Sequence, residues 1–194
     1  MLDRILIFRP VINWISDGRF FASLIAWSLR ILAVIVFIGS LGSCYKIWSQ
    51  LPTEVPFKYI AAFVVMTIFV LAIGFFVINI LLIRAEDILA LPAVKDYSIT
   101  PIFVICVKMI GEILATVYAS LGVALGLAAF IGGDSVGRTL SVLSLPGMSA
   151  GSGSGFLLIV GGLLIGLMLL FVAYYVAEQI GALVDIARNT RKGR

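Results

Sequence analysis

The sequence predicts an all-α integral membrane protein: four transmembrane helices forming two parallel-related hairpins, preceded by an N-terminal interfacial amphipathic segment. Three observations carry this prediction. Hydrophobic residues make up 62% of the 194-residue chain, and the mean hydropathy is +1.18. A soluble domain is only about half apolar. The excess falls in four blocks, each long enough for the roughly 20 helical residues that cross a hydrocarbon core of about 30 Å. The blocks are continuous rather than alternating in short strands of about ten residues, which selects helices over a membrane β-barrel.

Residues 1–20 read as the interfacial segment. Asp3, Arg9 and Pro10 interrupt the apolar core that a secretory leader needs. Leu2, Ile5, Leu6 and Phe8 can lie among headgroups while Asp3, Arg4, Asp17 and Arg19 face water. The first span covers residues 21–47. A short loop with Pro52 and Pro56 follows, and Trp48, Phe57 and Tyr59 suit an interfacial aromatic belt. The second span covers residues 59–83 and the third 101–131. Residues 132–155 form an external loop whose Gly/Ser-rich end behaves as a flexible spacer. The fourth span covers residues 155–177. Helical spacing persists through Ile180, Leu183 and Ile186 into a basic cytoplasmic tail over residues 178–194.

Charge sets the expected orientation. With four crossings, Arg4, Arg9, Arg19, Arg84, Lys95, Arg188, Arg191, Lys192 and Arg194 share one side. Lys46, Lys58 and Arg138 share the other. The positive-inside rule then puts both termini in the cytoplasm. The compact chain and this charge bias point to a bacterial inner membrane.

The second and fourth spans end alike. Residues 71–91 and 163–183 share eight of twenty-one positions without gaps, including the Ala-Glu-x-Ile-x-Ala-Leu end. Apolar composition alone does not produce that Glu. The first and third spans match more weakly, at Ile-Leu-Ala after Arg30 and again after Glu112. The pattern predicts an internal repeat of two hairpins in parallel orientation, one common way to build membrane proteins.

Arg30, Lys108 and Glu112 fall inside apolar runs. A charge at the centre of a membrane helix costs roughly 2.5–3.5 kcal/mol on insertion scales, so it normally faces protein or water and has a partner. Lys108 and Glu112 are four residues apart and share a helix face. Arg30 is expected at a similar depth, with Asn79 adding hydrogen bonds. Two readings of this cluster follow: a structural one, in which the charges pair and fix helix register, and a functional one, in which they line a site for an ion, proton or lipid headgroup.

Gly122 and Gly126 on the third span, and Gly162 and Gly166 on the fourth, repeat the Gly-x-x-x-Gly spacing that permits close helix approach. Gly111, Ala115 and Ala119 extend the small face of the third span. The spacing fits packing within the bundle and packing between subunits equally.

The chain has no histidine. That removes the commonest general base and the commonest transition-metal ligand, and rules out a Ser–His–Asp triad. Cys44 and Cys106 are expected near opposite membrane faces, too far apart to pair within a chain. No phosphate-binding glycine loop or metalloprotease motif occurs. No catalytic residue, metal ligand or cofactor is therefore predicted, and the chain is not expected to be an enzyme. The basic residues flank spans, so topology explains them better than nucleic acid does. The expected partners are the lipid bilayer and other membrane subunits or further copies of the chain. The leading function is a non-catalytic membrane scaffold, accessory or assembly subunit. The alternative is a small ion or solute channel or transporter subunit using the charge cluster.

Overall fold

The computed structural model describes residues 19–49, 56–92, 99–133 and 155–192. Residues 1–18 of the segment expected to be interfacial, and most of the expected external loop, residues 134–154, lie outside the described residues. Those described form four helices and no strand: α1 (Arg19–Ser49), α2 (Phe57–Leu89), α3 (Ile99–Gly132) and α4 (Gly155–Lys192). Each contains a segment long and apolar enough to cross a membrane.

The helices outrun the apolar blocks that predict them. α2 continues six residues past Ile83 to Leu89, carrying Arg84, Glu86 and Asp87 on the helix rather than in a loop. α4 runs through to Lys192. Helix ends follow local chemistry. Pro56 precedes α2, and its carbonyl accepts from the Tyr59 amide at 2.9 Å. Pro101 occupies the first turn of α3, where its missing N–H has no helical partner to lose. α3 stops at Gly133, whose φ of 73° is left-handed and lets its amide donate to the Ala129 carbonyl at 2.8 Å. Helical hydroxyls turn back onto their own backbone, as Ser28 donates to Leu24, Ser43 to Gly39 and Thr67 to Phe63. This satisfies them without water, as an apolar medium requires.

The helices pack in chain order: α1 on α2, α2 on α3, and α3 on α4 in the most extensive contact. No other helix pair makes an extended contact among the described residues. The result is an open row whose edges are α1 and α4. Successive helices are antiparallel. Ser40 of α1 meets Gly74 of α2, and further along Trp48 donates to Thr67 at 3.1 Å. Two apolar clusters hold the row together. One joins Ile47, Phe63, Met66 and Leu125. The other joins Leu29, Val77, Leu81, Ile88 and Met109.

The α3–α4 contact is built on small residues. A Cβ placed on Gly162 would lie 2.6 Å from the Gly122 Cα and 2.8 Å from the Tyr118 carbonyl oxygen. One on Gly166 would lie 2.8 Å from the Ala115 carbonyl oxygen. Gly126 meets Gly155, and Gly111 meets Ala173. Both Gly-x-x-x-Gly faces are thus used against each other inside the chain. Backbone lies against backbone, where dispersion contacts accumulate without needing a hydrophobic drive.

Candidate functional site

Three helices converge on one carboxylate. Glu112, on α3, receives Arg84 of α2 in a two-pronged ion pair. Nε donates to Oε2 at 3.0 Å and Nη2 donates to Oε1. Tyr174 of α4 donates its hydroxyl to the same Oε1 at 2.6 Å. The remaining Arg84 nitrogen, Nη1, donates to Asp87 one turn away on α2 at 2.7 Å. Lys108 lies one turn before Glu112, with its ammonium 5.1 Å from the centroid of the Tyr174 ring. That is within cation–π range.

The sequence explains each placement. Arg84 and Asp87 are three apart and Lys108 and Glu112 four apart, so each pair shares a helix face. The small α3–α4 face brings α4 close enough for Tyr174 to reach across. Arg84 is chosen over a lysine-type contact by shape, since a planar guanidinium matches a carboxylate with two parallel donors. Side-chain exposure is 20% for Arg84 and 17% for Glu112, so the pair is shielded by the surrounding helices.

Depth follows from helix rise. At about 1.5 Å per residue, Glu112 is roughly 30 Å from Gly132, Tyr174 roughly 28 Å from Gly155, and Arg84 roughly 40 Å from Phe57. The cluster therefore lies at least about one hydrocarbon thickness from the far helix ends. With those ends at one membrane boundary, the cluster falls at the other rather than near the midplane. Charges are far cheaper there.

The predicted site residues divide. Lys108 and Glu112 share the cluster, as their spacing requires. Arg30 does not join them. The antiparallel register puts it level with Arg84, but its guanidinium is 5.4 Å from the Trp27 ring on its own helix. The cation facing Glu112 is instead Arg84. Asn79 donates to the Phe75 carbonyl at 2.8 Å and adds nothing to the cluster. Gly122, Gly126, Gly162 and Gly166 all lie in the α3–α4 contact. Arg84, Asp87 and Tyr174 were missed by sequence reasoning. The apolar run stops at Ile83, so Arg84 reads as a loop residue that marks orientation. The Arg84-x-x-Asp87 spacing was the available sign that the helix continues.

Chemically the arrangement holds charge rather than presenting it. Both Glu112 oxygens are occupied by donors, and all three guanidinium nitrogens of Arg84 are engaged. Among the described residues no buried side-chain nitrogen or oxygen lacks a partner. Tyr174→Phe removes one bond to Glu112 but keeps the ring under Lys108, and should cost about 1 kcal/mol. Tyr174→Leu removes the ring as well and should cost roughly a further 0.5–1 kcal/mol. Thermal unfolding of the two variants in detergent checks the order.

The fold and the cluster define a class: a helical membrane protein with four segments able to span. No family model, curated protein or solved structure matches the chain.

Proposed function

We propose that this chain is a non-catalytic integral membrane scaffold, serving as an accessory or assembly subunit of a larger membrane complex or of a homo-oligomer. The observation that carries this reading is the open row of helices. A self-sufficient bundle closes on itself, whereas here α1 and α4 each pack on one side only. The wide apolar faces left over suit lipid and neighbouring subunits. The charge cluster has the character of an internal tie between α2, α3 and α4. A channel or transporter needs polar groups facing a water path, and both Glu112 oxygens already accept from Arg84 or Tyr174.

In the same reading the chain is two parallel-related hairpins in a bacterial inner membrane, with both termini cytoplasmic. Support for the repeat comes from equivalent positions in the matched helix ends. Gly74 and Gly166 are both helix-contact glycines, and Ala85 and Ala177 are both buried. Purification in mild detergent tests the function. The expected result is a stoichiometric partner, either a different membrane protein or further copies of the chain. A chain that runs as a solitary monomer in native lipid extracts would overturn it.

A further inference from the structure

We infer that the two edges of the row dock on each other between copies, α4 of one chain against α1 of the next, in a head-to-tail assembly. This rests on the scaffold reading and names its partner as a second copy of this chain. The first observation is a matched pair of stripes. On α1, Trp27, Ile31, Val34, Ile38, Leu41 and Tyr45 recur at alternating steps of four and three, and all are exposed. On α4, Leu164, Met168, Phe171 and Tyr175 recur the same way and are also exposed, with Phe171 stacked on Tyr175. Steps of this kind keep one seam facing a neighbouring helix, as in coiled coils. Continued by one step, the α4 stripe reaches Glu178, which is exposed.

The second observation is charge. Arg30 flanks the α1 stripe, between Trp27 and Val34, and meets no carboxylate among the described residues. Glu178 ends the α4 stripe and meets no cation there. Laying the stripes antiparallel, with Ile38 opposite Phe171 and Val34 opposite Tyr175, puts Glu178 opposite Ile31, beside Arg30. Stepping through the helix contacts inside the chain puts Arg30 about one to two helical turns from Glu178's level, within reach of two long side chains. Copies with the same orientation in the membrane present α1 and α4 antiparallel, as this docking needs.

The third observation is the chain's own inner seam. α2 packs on α3 through Arg84 and Glu112. In the matched sequences α4 corresponds to α2 and α1 to α3, with Arg30 in the place of Glu112. The α4–α1 contact between copies would bring together the same two repeat-equivalent helices, with Val176 in the place of Arg84 and the acidic partner, Glu178, two residues further along α4. A surface that differs from its partner surface makes a heterologous interface, which closes into a ring when the rotation permits.

Two measurements test it on the full chain in native membranes. In a Cys44→Ser/Cys106→Ser background, one tagged copy carries Ile38→Cys and a second carries Phe171→Cys. Oxidation should join the two different copies and leave each alone unlinked. Differently tagged copies should also capture each other in mild detergent. Arg30→Glu or Glu178→Arg alone should lower that capture at least about tenfold, and the double reversal should restore it to within about twofold. Like-with-like cross-links, single reversals without effect, a loss that the double reversal leaves unrepaired, or no self-capture would each overturn the inference. A chain that captures a different protein stoichiometrically, and not itself, would remove this inference and leave the scaffold reading standing.

Discussion

Glu112→Gln lowers the unfolding temperature in detergent by about 6–12 °C, the shift expected for a loss of roughly 3 kcal/mol in a chain of this size. The carboxamide keeps the shape and one acceptor oxygen. It removes the negative charge that Arg84 was folded against. Arg84 is 20% exposed and held by Tyr174 and Asp87, so turning it to water breaks those contacts as well. Asp87 compensates it only from one side. The cost is thus the uncompensated cation more than the lost hydrogen bond. Arg84→Met combined with Glu112→Leu should recover most of the loss, because an apolar pair of similar volume leaves no charge unmatched. Double-variant thermal unfolding separates the two cases. A double variant less stable than Glu112→Gln would show that the ion pair itself, and not charge matching, holds the helices.

Gly162→Ala disrupts α4 packing on α3, while Gly161→Ala one position away does not. The added methyl at residue 162 meets the Gly122 Cα at 2.6 Å and a carbonyl oxygen at 2.8 Å. Both belong to backbone, which yields only if the whole helix moves. Overpacking of this kind costs roughly 1–3 kcal/mol, and a helix separated along its length loses more. At residue 161 the methyl meets nothing within 4 Å. That variant should be neutral, or more stable by up to about 1 kcal/mol, because alanine favours helix over glycine. Gly74→Ala should fall between them, since its nearest neighbour is the Ser40 side chain at 2.9 Å, which can rotate. Equal effects at 161 and 162 would mean that the helices meet through another face.

Much of this fold is legible from hydropathy because each span is a long apolar run with few interruptions. What hydropathy reads poorly is where a helix continues after its apolar stretch ends. The run in α2 stops at Ile83, yet the backbone bonds carry on to Leu89 because Arg84, Glu86 and Asp87 are compatible with a helix and have partners or water. This is why hydropathy and depth point to Arg30 as the Glu112 counter-ion, where the structure has Arg84. Depth alone is a poor guide to pairing: Arg30 and Arg84 share a level, and only the rotation of each helix decides which one faces α3. Rotation depends on the small-residue contacts and on Leu29, Leu81 and Ile88 packing inward. The glycine spacing was legible, but not its partner. Sequence offers no reason to prefer Gly122 against Gly162 over either face against another subunit.

Flux across proteoliposomes holding the native chain tests the central claim most directly, that the Arg84–Glu112–Tyr174 cluster ties helices together and opens no path. The account predicts ion and solute leakage equal to that of empty vesicles, unchanged by Glu112→Gln or Lys108→Gln. Robust flux by the native chain that either substitution abolishes, in a variant still folded by thermal unfolding, would contradict it.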